Sequence, residues 1–152
     1  MSSWLNYCNC LRFRIADGLM RRFQAVQNAA AHLITGTSRR DHITPVLRQL
    51  HWLPVRHRVD FKLAVLVFKA LHRLARQYLA EDCQLVTAAG RRQLRSSDAL
   101  TCVIQRTRTR LGDRSFAVAG PRLWYSLPAE LRHLTISLGE FHRALKMHLF
   151  LN

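Results

Sequence analysis

A chain of 152 residues that is 49% apolar has room for one domain with a proper core, or for a helical half packed on a smaller module, and no room for two independent enzymatic domains. Its charges are interspersed with apolar residues rather than gathered in long like-charge tracts, which excludes wholesale disorder. The formal charge of +15 comes from 24 basic residues, of which only Lys62, Lys69 and Lys146 are lysines. Biased coding can inflate arginine, but so large an excess points to a polyanion, nucleic acid ahead of an anionic membrane or an acidic protein.

At the N-terminus Asn6, Asn9, Arg12 and Arg14 interrupt any signal-like apolar run, and no stretch of about 18 apolar residues follows. The expectation is a soluble, unsecreted, intracellular protein of nucleus or cytoplasm, without a membrane span. Asp17 can cap a helix that runs to Gly36, with Leu19, Phe23, Val26, Ala30, Leu33 and Ile34 recurring at helical spacing as a stripe that must pack on something. Thr44-Pro45 and then Pro54 each supply a helix start, with His51-Trp52-Leu53 as a tight connection between them. From Pro54 to about Ala75 runs the most apolar helix, with Val59, Leu63, Leu66, Ala70 and Leu74 on one side and Phe61, Val65 and Phe68 on another. At 100° per residue Arg58, Lys62, Lys69 and Arg73 fall in one cationic stripe on it, which on any single helix can equally be an ordinary solvated face.

After Gln84 the character changes, because Gly90, Gly112, Gly120, Pro121, Pro128 and Gly139 punctuate shorter segments. Leu100 to Arg110 and Ser115 to Val118, around the turn-like Leu111-Gly112-Asp113, predict a small β-hairpin. Ser137-Leu138-Gly139-Glu140 reads as a capping box before a C-terminal helix carrying Phe141, Leu145 and Leu149. The expected fold is mainly α with a small β element: a helical region over 1–83, then a basic α+β module over 84–152.

Net charge rises along the chain, +3 over residues 1–35, +5 over 36–83 and +7 over 84–152. The densest part is Arg91, Arg92, Arg95, Arg106, Arg108, Arg110 and Arg114, opposed within that span only by Asp98 and Asp113. In a strand, Arg106, Arg108 and Arg110 would share a face at intervals of about 6.6 Å, with Thr107 and Thr109 opposite. Such a row can track phosphates, and guanidinium forks bind phosphate oxygens bidentately; the competing reading is an edge strand kept from aggregating by its charge. Trp124 and Tyr125 can stack on bases, although buried core aromatics are the commoner case.

Catalysis has no candidate residues. Nine acids are scattered without a D-x-D, D-D or E-x-x-H cluster, Glu81-Asp82 being the only adjacent pair, so two-metal chemistry is unsupported. The eight histidines are equally dispersed, and no Walker loop, G-x-S-x-G or G-x-G-x-x-G is present. Cys8, Cys10, Cys83 and Cys102 lack zinc-finger spacing and read as reduced intracellular thiols. Neither a cofactor, a metal nor a small-molecule substrate is expected.

Several segments in fixed order carry a family resemblance. Phe23-Gln24-Ala25-Val26-Gln27-Asn28-Ala29-Ala30-Ala31, Asp41-His42-Ile43-Thr44-Pro45-Val46-Leu47 and Leu50-His51-Trp52-Leu53-Pro54-Val55 come first. Phe61-Lys62, Phe68-Lys69-Ala70-Leu71-His72, Leu94-Arg95-Ser96-Ser97, Gly112-Asp113-Arg114-Ser115-Phe116, Pro121-Arg122-Leu123-Trp124 and Ser126-Leu127-Pro128 follow, and Leu5-Asn6-Tyr7-Cys8-Asn9 precedes them. Together they resemble the region downstream of the polymerase palm in LINE-type (non-LTR) retrotransposon reverse transcriptases. The resemblance implies a thumb-like helical region and a C-terminal segment that helps hold template RNA and target DNA, with endonuclease, fingers and catalytic palm lying upstream. Two departures stand out: Arg73-Leu74-Ala75-Arg76-Gln77 replaces the family's Gly-Leu-Ala-Pro type helix stop, and Tyr125 stands where an Asn usually follows the Trp. With a methionine start in mid-polymerase sequence, they fit a truncated or decayed copy.

The leading expectation is therefore a non-enzymatic, retroelement-derived domain that binds RNA or DNA through phosphates with little sequence preference. Its rivals are a scaffold whose exposed apolar helix faces bind a partner or a second copy, and a translated remnant without a selected role.

Overall fold

The computed structural model describes residues 15–83, 102–109, 112–133 and 135–151. Six α-helices are present among them: α1 (Asp17–Thr35), α2 (Ile43–Gln49), α3 (Val55–Leu71), α4 (Gln77–Asp82), α5 (Phe116–Ser126) and α6 (Leu138–Leu151), with 3₁₀ turns at Gly112–Arg114 and Ala129–Arg132. The fold is mainly α. The described residues up to Phe61, with those from Lys146 onward, form one compact unit, and those from Lys62 to Leu145 form another.

Most helix ends follow local chemistry. Gly36 closes α1 in the left-handed conformation (φ 68°), which glycine adopts without a Cβ clash. Pro54 leads directly into α3, its carbonyl accepting the Arg58 N–H at 2.8 Å. At α6 the capping box forms as expected: the Glu140 N–H donates to Ser137 Oγ at 3.3 Å, while Ser137 N–H and Oγ–H donate to Glu140 Oε2 at 3.0 and 2.7 Å. Asp17, expected as the cap of α1, is instead its first helical residue and pairs with Arg56.

Two stops are made without glycine. His51 (φ 53°) and Arg73 (φ 55°) both occupy the left-handed region. After α2, Trp52 N–H donates to Leu47 C=O at 2.8 Å and His51 N–H to Arg48 C=O at 3.0 Å. After α3, Leu74 N–H donates to Lys69 C=O at 2.8 Å and Arg73 N–H to Ala70 C=O at 3.2 Å. Both are Schellman closures, in which the left-handed residue lets its own N–H and the one after it satisfy the last free carbonyls. Without a glycine, α3 still ends at Leu71, at the cost of a Cβ in the left-handed region at Arg73.

In the first unit α1 buries a different face from the one expected. Leu19, Val26, Leu33 and Ile34 are exposed at 48, 70, 85 and 60%. The inward positions are Met20, Gln24, Gln27 and Ala31, spaced for one helical face. Met20 packs with Val55 and Val59, joined by Ile15 and Phe23, while Ala31 packs with Val46 and Leu47. Between these clusters the two glutamines bridge to the turn around Pro54: Gln27 Nε2 donates to Leu53 C=O and Gln24 Oε1 accepts Val55 N–H, both at 2.8 Å. Both backbone groups flank a proline at a helix start, where helical partners are missing, and buried backbone polar groups must be paired. Gln24 Nε2 in turn donates to Gln27 Oε1 and to Asn28 Oδ1.

The second unit is held by aromatic rings. Phe68 stacks on Phe141 (centroids 4.3 Å apart) and on His72 (3.8 Å), and Trp124 lies 6.5 Å from Phe68 and 5.9 Å from Phe141. Trp124 and Phe141 are wholly buried, as are Val67 and Ala64 on α3. Helix α5 approaches α3 closely at Gly120, where a Cβ would lie 2.9 Å from Val67 Cγ2. Cys83 and Cys102 are buried in the same unit, and burial pushes their thiols up to about 12 and about 11, leaving them neutral.

The expected β-hairpin is not found among the described residues, outside which Leu100, Thr101, Arg110 and Leu111 lie. No β-strand occurs among the described residues; Val103–Thr107 has no regular structure, Gly112–Arg114 is a 3₁₀ turn, and Phe116 to Val118 open α5. Ala117, Val118, Ala119 and Gly120 are small enough to let α5 lie against α3, and burial on that helix outweighs the β preference of Phe116 and Val118.

Candidate nucleic-acid interface

Of the arginines expected to bind nucleic acid, Arg91, Arg92, Arg95 and Arg110 lie outside the described residues. Arg106 and Arg108 are exposed on either side of half-buried Thr107. The hydroxyl of Thr107 donates to Asp113 Oδ1 at 2.6 Å, and Arg122 pairs with the same oxygen at 3.1 Å. Gly112 closes this corner: its N–H donates to Thr109 Oγ1 at 3.0 Å, and a Cβ there would stand 3.0 Å from the Thr107 Cβ. Thr107 thus turns inward between two outward arginines without a strand, while Thr109 is exposed like them. The arrangement is set by one carboxylate, not by a ladder, so the regular 6.6 Å row expected of a strand is not the basis of the site. Arg114, half-buried in the 3₁₀ turn, sits in the same corner.

The stripe expected on α3 is shorter than its spacing suggests. Lys62 and Lys69 share one side of α3 and lie near His142 of α6, which they and burial together hold below the ordinary imidazole range, burial first, then Lys69, then Lys62. Arg58 is half-buried earlier on the same helix. Arg73 leaves the stripe, because it occupies the left-handed closure beyond Leu71. Among the described residues, none of Arg58, Lys62, Lys69, Arg73, Arg106 and Arg108 has an acidic side chain within 4 Å; the acids Asp17 and Asp113 are engaged by Arg56 and Arg122.

A further basic group was not singled out by the sequence. The C-terminal half of α1 and the connection to α2 enclose an open groove of about 640 Å³, whose polar lining is Asn28, His32, Arg39, Arg40, Asp41 and His42. Its members are separated in sequence by a helix turn and a loop, and only the packing of α2 against α1 brings them together. A doublet, Arg39-Arg40, was the available signal.

Trp124 is buried in the aromatic core and out of reach of a base. Tyr125 is partly exposed, and its hydroxyl donates to the Cys102 carbonyl at 3.2 Å. Among the described residues no group of three or more His, Cys, Asp or Glu could hold a metal ion, and no helix is long and apolar enough to cross a membrane.

Compared with protein-family models, curated proteins and solved structures, the chain matches none.

Proposed function

We propose that this chain is a non-catalytic, basic helical segment akin to the thumb-like and following region of LINE-type reverse transcriptases, and that it binds RNA or DNA non-specifically through arginine–phosphate contacts. The observation that carries the binding is the pinned corner at Thr107: Arg106 and Arg108 stand exposed beside it, while its one carboxylate, Asp113, is taken by Thr107 and Arg122. Exposed cations that have no acidic partner among the described residues suit a polyanion, whose condensed counterions they displace.

The test is fluorescence anisotropy with a labelled oligonucleotide over a range of salt. Replacing Arg106, Arg108 and Arg110 together by Gln should lower affinity at low salt and shrink the slope of log K against log salt by about 2 on a single strand, three phosphates at about 0.7 each. Helical content should be unchanged. An unaltered slope in the folded variant removes this corner from the interface.

The exposed Leu19, Val26 and Leu33, seven residues apart on α1, favour a second role in self-association, because repeated apolar positions on an open helix face suit a second helix. Val26→Lys with Leu33→Lys should convert any dimer to monomer in light scattering. A wild-type chain that is monomeric at high concentration ends that reading.

A further inference from the structure

The groove between α1 and the connection to α2 is lined by groups whose orientation is already fixed. The Nδ1 of His32 shares a 2.9 Å hydrogen bond with Thr37 Oγ1, which in turn meets Thr35 Oγ1 at 2.8 Å, and Thr35 donates to Ala31 C=O at 2.8 Å. The Thr35 proton is committed to Ala31, so the Thr37 hydroxyl donates to Thr35 and His32 Nδ1–H donates to Thr37; this chain holds the imidazole ring in place, and Nε2 becomes a donor to a ligand when the ring is protonated. On the facing wall, Asp41 Oδ2 accepts the Ser38 N–H at 2.9 Å and Ser38 Oγ accepts the Arg40 N–H at 3.3 Å, so the tight turn that carries Arg39 and Arg40 is built by its own side chains. Asp41 is the one acid of the lining, and it is engaged in that turn. Neither Arg39 nor Arg40 has an acidic partner within 4 Å among the described residues, and His42 is exposed beside them.

We infer that this groove binds a phosphodiester of a nucleic-acid strand, with the Arg39 and Arg40 guanidiniums on the phosphate oxygens and the protonated imidazoles of His32 and His42 as further donors. Two adjacent arginines supply donors for an anion and no acceptor for a cation, and each imidazole adds a second donor when protonated. A volume of about 640 Å³ is far more than one phosphate needs and suits a group of nucleotide size. Asn28 lends an edge-reading amide: its Oδ1 is occupied by Gln24, so its NH₂ is the part left to a ligand. The inference rests on the proposed nucleic-acid reading and adds to it a second contact point, in the other compact unit from Arg106 and Arg108.

The experiment pairs two readouts on the full chain. In NMR, the imidazole resonances of His32 and His42 are followed while a deoxythymidine dinucleotide is added at constant ionic strength, with inorganic phosphate as a second probe. Both histidines should shift with the dinucleotide in the wild-type chain and stay still in the Arg39→Gln, Arg40→Gln double variant; shifts with phosphate alone would mark a free-anion site and overturn the strand assignment. In anisotropy, the double variant should lose about 1.4 from the single-strand salt slope, two phosphates at about 0.7 each. If wild-type chain binds oligonucleotide but the variant keeps slope and affinity with unchanged helicity, the groove is refuted while the general reading stands. A wild-type chain with no salt-dependent binding brings down the general reading and this inference with it.

Discussion

The unit built on α1 and α2 and the unit from Lys62 to Leu145 hold their helices together by different means. In the first, two glutamines tie a helix to the backbone on both sides of Pro54, with small clusters around Met20 and Ala31. In the second, three aromatic rings interleave and a glycine lets two helices meet. The first gains directional specificity from few contacts and leaves Leu19, Val26 and Leu33 open to solvent. The second gains most of its stability from buried area, which has little directionality but a larger total. Loss of one side chain should therefore be far more damaging in the second than in the first.

Trp124→Ala should have the largest effect. Removing a wholly buried indole that lies against Phe68 and Phe141 should cost about 3–5 kcal/mol, a large part of the stability of a domain this size. Urea unfolding followed by circular dichroism gives the value; a loss below about 1 kcal/mol would mean that the aromatic cluster does not govern the unit.

Gln24→Ala is the matching cut in the first unit. It strands the Val55 N–H and removes the restraints on Gln27 and Asn28, so about 1–3 kcal/mol should be lost. Gln24→Glu sharpens the comparison, because it keeps an acceptor for Val55 but loses the donor to Asn28, and it should fall between wild type and Ala. Equal losses for Ala and Glu would show that the acceptor role is unimportant.

Arg73→Gly should move the other way. It relieves a Cβ at φ 55° in the Schellman closure and should raise stability by about 1 kcal/mol. Arg73→Gln separates this from the loss of a charge, and a melting temperature raised by Gln as much as by Gly would assign the effect to electrostatics.

The smallest effect concerns His142. Its folded-state value is depressed, so the unfolded chain binds the extra proton first as pH falls through the ordinary value near 6.5; stability from this group is present above that pH and lost below it. Lys69→Gln removes the larger of the two lysine contributions and should raise the His142 titration midpoint seen by NMR, with Lys62→Gln raising it less. A midpoint indifferent to both would separate the lysines from α6.

The readings that survived from sequence have short-range causes. The box at Ser137 and Glu140, the stop at Gly36 and the start at Pro54 each involve atoms a few residues apart, so the sequence specifies them nearly alone. The face of α1 was misread because apolar spacing marks an inward side only when no polar group is wanted there, and the unpaired backbone beside Pro54 wants two glutamines. The outward side of Arg106 and Arg108 is legible in the sequence as one face of a strand, but 103–107 has no regular structure and the cause is a contact between turns, Thr107 on Asp113.

What the sequence determined by itself is a basic, mainly helical chain with the helix ends at Gly36, Pro54 and Ser137 in place, because a glycine stop, a proline start and a capping box are decided by neighbouring residues. Which face of α1 turns inward, whether Phe116 to Val118 is strand or helix, and which cations share a groove were decided only by tertiary structure. Each depends on what the segment packs against: the Pro54 turn for α1, Val67 for α5, and α2 for the walls around Arg39 and Arg40. Burial and backbone pairing between distant segments outweigh local preference there, and a periodicity read along one segment carries no information about its partner.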